Sequence, residues 1–167
     1  MMLTLSASWA GEVRESSPGE MPGSPQAPSA PAQAFVVATR QSIDDILRGF
    51  QSENKTQNLM AGDAIGYRVF LQHEKDVSTN QAEVHDGADD MFVVLEGTAT
   101  LILGGRLESP QQIQPGEWRS PGIAGGKEFK MAKGDLAIVP RGTPHMRVTT
   151  GEDVSILIIK AFAPAKR

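Results

Sequence analysis

The chain contains no cysteine. In this polypeptide that removes a disulfide framework, a thiolate metal site and a cysteine nucleophile together, although it fixes no compartment. No apolar run is long enough to span a bilayer. No basic cluster offsets the net charge of −4, which argues against nucleic acid as a partner. No serine sits in a nucleophile elbow, no glycine-rich loop is built to cradle phosphate, and no helix carries a paired-histidine motif.

What is present suffices for one domain. The chain has 167 residues, of which 40% are hydrophobic, so a core can form without help from metal or disulfides. The opening MMLTLSASWAGEVR lacks a positive n-region, yet Ser8-Trp9-Ala10 puts small residues where a signal peptidase would cut. The segment therefore reads either as the end of a signal peptide, giving a periplasmic or secreted protein, or as the start of a cytoplasmic one. Residues 11–34 repeat proline among Ser, Gly, Ala and Gln (Pro18, Pro22, Pro25, Pro28 and Pro31). Such a stretch buries too little apolar surface to offset its ordering entropy. The expected organisation is a disordered segment over 1–34 and a folded domain over 35–167.

The FVVAT stretch from Phe35 suits a short strand. Ser42 then reads as an N-cap with Asp44 and Asp45 in the first turn, and Ile43, Ile46, Leu47 and Phe50 recur at helical spacing. The pattern predicts a short amphipathic helix over 43–50, packed across the outside of the domain. Gly49 and the polar QSENKTQN run end it. From Ile65 the period changes to two. Strands are expected over 65–72, 80–85, 91–96, 98–103, 128–132, 136–139, 145–149 and 154–162, punctuated by glycine, proline and acid clusters. Many short strands with one helix make an all-β sandwich or barrel. Residues 104–127 interrupt the rhythm. They predict either a lid carrying Trp118 and Arg119 over a cavity mouth, or an exposed Ω-loop with Trp118 tucked beneath it.

Two segments carry chemistry. In EVHDGADDMFVVLEG (83–97), Glu83 and His85 share one strand face, and Asp90 returns near His85 if the flanking strands pair. The set is either a metal site at a barrel mouth or an ordinary solvated turn. In GDLAIVPRGTPHMRV (134–148), Gly134-Asp135 makes a tight turn, and Pro140 and Gly142 make another that launches a strand beginning near His145. Arg147 shares the face of His145. It either clamps a substrate carboxylate or pairs with a surface acid. His73, in LQHEKD, reads as exposed and without function. Tyr67 reads as a core aromatic, or as a cavity neighbour of Phe92.

These segments resemble the two signature motifs of the cupin superfamily. Aligned backwards from Gly97, Asp90 stands at the usual glutamate, His85 at the second histidine and Glu83 at the first. Gly134, Pro140, Gly142 and His145 match the second motif in register, and Thr149 stands where asparagine is frequent. The resemblance covers about residues 65–162. It implies a double-stranded β-helix, or jelly-roll barrel, with a divalent metal or small ligand inside, and a homodimer. By their own chemistry, two histidines and one or two carboxylates can hold Fe, Mn, Zn or Ni in the divalent state. Glu83, His85, Asp90 and His145 are thus the candidate metal ligands, and Glu83 and Arg147 the candidate catalytic residues. The expected function is a metal-dependent enzyme on a small organic molecule, of dioxygenase or isomerase/lyase type. The alternative is a non-catalytic barrel that binds a small ligand, with Glu83 and His145 contacting it directly in the absence of metal. A purely structural barrel is a third reading, against which the polar set at one mouth argues.

Overall fold

The computed structural model describes residues 29–31, 33–50, 53–62, 65–77 and 82–163. The cleavage-like tripeptide and most of the proline-rich stretch lie outside these residues. Backbone packing divides the chain into Met1–Pro31 and Ala32–Arg167, and every element below belongs to the second unit. Among the described residues, one helix, α1 (Arg40–Arg48), precedes twelve strands. The strands are β1 (Lys55–Met60), β2 (Tyr67–Lys75), β3 (Ala82–His85), β4 (Ala88–Leu103), β5 (Arg106–Glu108) and β6 (Gln111–Gln114). They continue with β7 (Glu117–Ser120), β8 (Gly122–Ala124), β9 (Lys127–Ala132), β10 (Leu136–Val139), β11 (His145–Val148) and β12 (Asp153–Phe162).

Strand β4 organises the barrel. Its first half pairs antiparallel with β12 and β10, and its second half with β9 and β11. The path runs β1-β2-β12-β4-β11-β3-β7-β6, with β9 and β10 also on β4 and a separate β5-β8 ribbon. The two strands expected at 91–96 and 98–103 are thus one strand that changes partners near Gly97. Gly97 has φ 74°, and a Cβ there would lie 2.0 Å from the Asp153 carbonyl oxygen, so glycine alone fits the crossing. The barrel core is built from alternate positions: Phe92, Val94, Ala99 and Leu101 of β4 meet Val154, Ile156 and Ile158 of β12, with Val139 of β10. Together these pairings make the double-stranded β-helix, with a single short helix outside it.

The outer face of the same strands makes a second core. Leu71 of β2 is buried under Leu47 and Phe50, with Ile43, Ile46, Leu95 and Leu157 against them. Helix α1 therefore packs across the outside, as its apolar spacing predicts, but it starts earlier than expected. Thr39 is the N-cap, accepting the Ser42 amide at 3.1 Å. Asp44 and Asp45 consequently fall beyond the first turn, where they pair with Arg40 and Arg48. Gly49 caps the C-terminal end.

Five other expectations are corrected. The FVVAT stretch forms no strand. The KTQN part of the polar run is the start of β1, an edge strand exposed enough to carry polar residues at either parity. Residues 104–127 are not an irregular loop: they hold β5 to β8, and of the two residues expected over a cavity mouth, Arg119 lines the cavity. His73 is not exposed: it retains 7% of its surface and its Nδ1 lies 3.0 Å from the Ser155 hydroxyl. Tyr67 is no core residue either, being 40% exposed, with its hydroxyl donating to the Met60 sulfur.

Candidate metal centre

Strand register brings the candidate residues together. Glu83 of β3 stands directly opposite His145 of β11 on one side and Arg119 of β7 on the other. Two residues on, and so on the same face, His85 stands opposite Glu117. Asp90 of β4 faces Lys160 of β12. The 140–145 turn is docked onto the first segment. The Gly142 amide, at φ 77°, donates to the His85 carbonyl at 2.8 Å. Arg141 forks onto Asp89 at 2.9 and 2.7 Å, which lowers the Asp89 carboxyl below its ordinary value. A local turn signal in the sequence thereby fixes a long-range contact between the two motifs.

One ligand atom from each of Glu83, His85, Asp90 and His145 lies within 4.8 Å of the others. Asp90 Oδ2 is 3.2 Å from His85 Nε2 and 3.5 Å from His145 Nε2. Glu83 Oε1 is 3.3 Å from His145 Nε2, and Oε2 is 3.7 Å from His85 Nε2. The other side of each group is held from outside. His85 Nδ1 is 2.6 Å from Glu117 Oε2, and His145 Nδ1 is 3.0 Å from the Thr143 carbonyl. Lys160 Nζ is 2.7 Å from Asp90 Oδ1, and Arg119 is 3.0 Å from Glu83 Oε2.

These contacts decide the tautomers. A carbonyl can only accept, so His145 Nδ1 carries the proton; the carboxylate of Glu117 demands the same of His85. Both Nε2 atoms are then lone pairs aimed at carboxylate oxygens, and both are buried without a hydrogen-bond partner. Negative facing negative inside a protein is not stable alone. Either two protons or one divalent cation must fill the gap. In the proton-filled state, burial pushes the His85 imidazole down, but Asp90 and Glu83 outweigh it and lift the group to about 9. His145 is opposed by burial and raised by the same two acids. Burial raises Glu83 and Asp90, yet the two histidines prevail and hold both carboxyls well below the usual range. The donor set, two imidazole nitrogens and two carboxylates with outer hydrogen bonds fixing each ring, fits a divalent ion.

Arg147 does share the face of His145 and lines the same cavity, of about 480 Å³. Its guanidinium donates to both oxygens of buried Glu74, at 3.0 and 2.6 Å, and lies 4.9 Å from the Phe92 ring centroid. Burial opposes its charge, but Glu74 raises its pKa, so it stays cationic. Glu74, Glu117, Arg119 and Lys160 were not among the sequence candidates. One signal pointed at Lys160, which continues the inward parity of Val154, Ile156 and Ile158. Trp118, between Glu117 and Arg119, donates its indole N–H to Asp86 at 2.9 Å.

No protein-family model and no curated protein matches the sequence. Solved structures do. A protein of Bacillus halodurans is 18% identical, with a TM-score of 0.53 over 81% of this chain and 86% of that one. A cupin-2 domain protein of Shewanella frigidimarina is 16% identical, with a TM-score of 0.49 over 71% of this chain and 91% of that one. A DMSP lyase of Ruegeria pomeroyi is 12% identical, with a TM-score of 0.49 over 71% of this chain and 52% of that one. The chain thus spans about half the length of that lyase. At such identities the likeness is one of fold.

Proposed function

We propose that this chain, which folds as a double-stranded β-helix, is a cupin and a metal-dependent enzyme acting on a small organic molecule. Glu83, His85, Asp90 and His145 would hold the divalent ion, with Fe, Mn, Zn and Ni as the candidates. The observation that carries this reading is the pair of buried, unpartnered Nε2 atoms converging on two carboxylates. A divalent ion held there supplies Lewis acidity toward a substrate carbonyl, or oxygen chemistry if it is iron.

The chain's own residues have separable roles. Glu117 and the Thr143 carbonyl orient the imidazoles. Lys160 occupies Asp90 Oδ1, leaving Oδ2 to face the histidines. Glu83 is the more accessible carboxylate, with 18% of its side chain exposed against 3% for Asp90. Left unligated, it is the carboxylate that would face a substrate in the cavity and take its proton, while Arg119 holds its Oε2. Arg147 is held against the cavity wall by its ion pair with Glu74. Lyase or isomerase chemistry uses these parts most directly; dioxygenase chemistry needs iron in particular. The test is metal content after purification without chelator. About one ion per chain is expected, lost in His85→Ala and His145→Ala; a metal-free wild type would overturn the reading.

One observation favours the alternative, a metal-free binding barrel. Two imidazolium N–H groups would fill the gap between the rings and the carboxylates of Glu83 and Asp90, so the contacts can be completed without an ion. Under that reading, small ligands would raise the melting temperature of chelator-treated protein as much as that of metal-loaded protein. We also infer a homodimer, supported by Leu136 and Ile138 of β10, which stand 59% and 60% exposed on the outer sheet face. A monomer in sedimentation equilibrium would contradict it.

A further inference from the structure

We propose that this site takes a small dicarboxylate, with one carboxylate at the metal position and the other on Arg68. The inference rests on the metal reading above and names its substrate class. It starts from the parity of β2. Arg68, Phe70, Gln72 and Glu74 alternate along its inner face and line the cavity of the metal centre.

The cations of that cavity are not equivalent. Arg147 is neutralised by Glu74, Lys160 by Asp90, and Arg119 by Glu83, with Glu117 also 3.8 Å from Arg119. Arg68 has no acidic partner among the described residues. It is exposed, yet held in place: it donates to the Asn58 side-chain oxygen at 3.2 Å, and its guanidinium lies 5.6 Å from the Phe70 ring centroid. A positioned guanidinium with no counter-ion is a fork suited to a carboxylate.

Charge balance leads to the same ligand. Four cationic and four carboxylate side chains line the cavity, so with neutral histidines the walls sum to zero. A divalent ion leaves two positive charges in the cavity. Uncompensated charge there is costly, and a dianion cancels it. The cavity, about 480 Å³, has room for a small diacid.

The test loads the full-length protein with Co²⁺ or Zn²⁺ and titrates it calorimetrically with malonate, succinate and glutarate. Each diacid is compared with its own half-amide, which keeps one carboxylate and the same length. At least one diacid should bind tenfold or more tighter than its half-amide. In Arg68→Gln the difference should fall below twofold with metal content unchanged, and Arg68→Lys should restore part of it. In the Co²⁺ form the diacid should also perturb the visible spectrum. Normal metal uptake with no preference for any diacid overturns this inference alone, as does a preference that survives Arg68→Gln. Failure to take up metal overturns the reading beneath it as well.

Discussion

Buried histidines occupy both faces of one sheet, and their surroundings differ in a single respect. His85 and His145 point into the barrel; His73 lies on the outer face of β2, beside α1. Each keeps a buried Nε2 without a hydrogen-bond partner, and each has its Nδ1 engaged, on Glu117, the Thr143 carbonyl or the Ser155 hydroxyl. Asp44, Glu96 and Asp153 line the cavity against which His73 lies. Yet among the described residues only Glu83, His85, Asp90 and His145 form a group of three or more ligand atoms within 4.8 Å. An orphaned imidazole nitrogen is therefore no metal site by itself. What sets the inner pair apart is the convergence of carboxylates on it, and register, not composition, supplies that convergence.

The sharpest way to break the comparison is to remove an inner histidine. His85→Ala or His145→Ala should lower metal affinity at least about a hundredfold, since two nitrogens of a four-ligand set become one. Metal analysis after dialysis reads it. If either variant retains its metal, the two faces are equivalent after all. Lys160→Met comes next. It strips a buried carboxylate of its cation, which costs about 3–5 kcal/mol when one partner of such a pair is lost. Urea denaturation of metal-free protein should show a loss of that size, partly restored by metal.

The inner site should also respond to pH, with opposite signs for its two states. His85 is raised from its ordinary 6.5 to about 9. Its folded value lies above its unfolded one, so its contribution is complete below pH 6.5 and is lost as pH rises through 9. Metal-free protein should thus lose roughly 2–3 kcal/mol between pH 6.5 and 9.5. Apparent metal affinity should rise over the same window, because the ion displaces those protons. The smallest effect belongs to the outer face. His73→Gln should cost about 1 kcal/mol, the worth of one hydrogen bond, and leave metal content unchanged.

The same two faces explain what was legible in the sequence. The 134–145 segment was readable because its turns are local: Gly134 and Gly142 both take the left-handed φ their spacing suggests. Glu83, His85 and Asp90 were readable because period-two alternation and a short connection keep them together. Glu117 and Arg119 were not, because glycine and proline around them mask the strand character of β7, and no sequence signal states which strand β7 meets. His73 was misjudged through its neighbours. Glu74, Lys75 and Asp76 look like a solvated strand end, but parity sends Glu74 inward to Arg147 and His73 outward to the buried helix layer. Strand β1 was lost for the opposite reason, since an exposed edge needs no apolar alternation.

The central claim is that one divalent ion replaces protons held between two imidazoles and two carboxylates. Titrating chelator-stripped protein with Zn²⁺ at pH 7, by calorimetry in buffers of differing ionisation enthalpy, tests it directly. One ion per chain should bind, releasing at least one proton, and His73→Gln should behave identically. Absence of binding, or binding without proton release, would contradict the account.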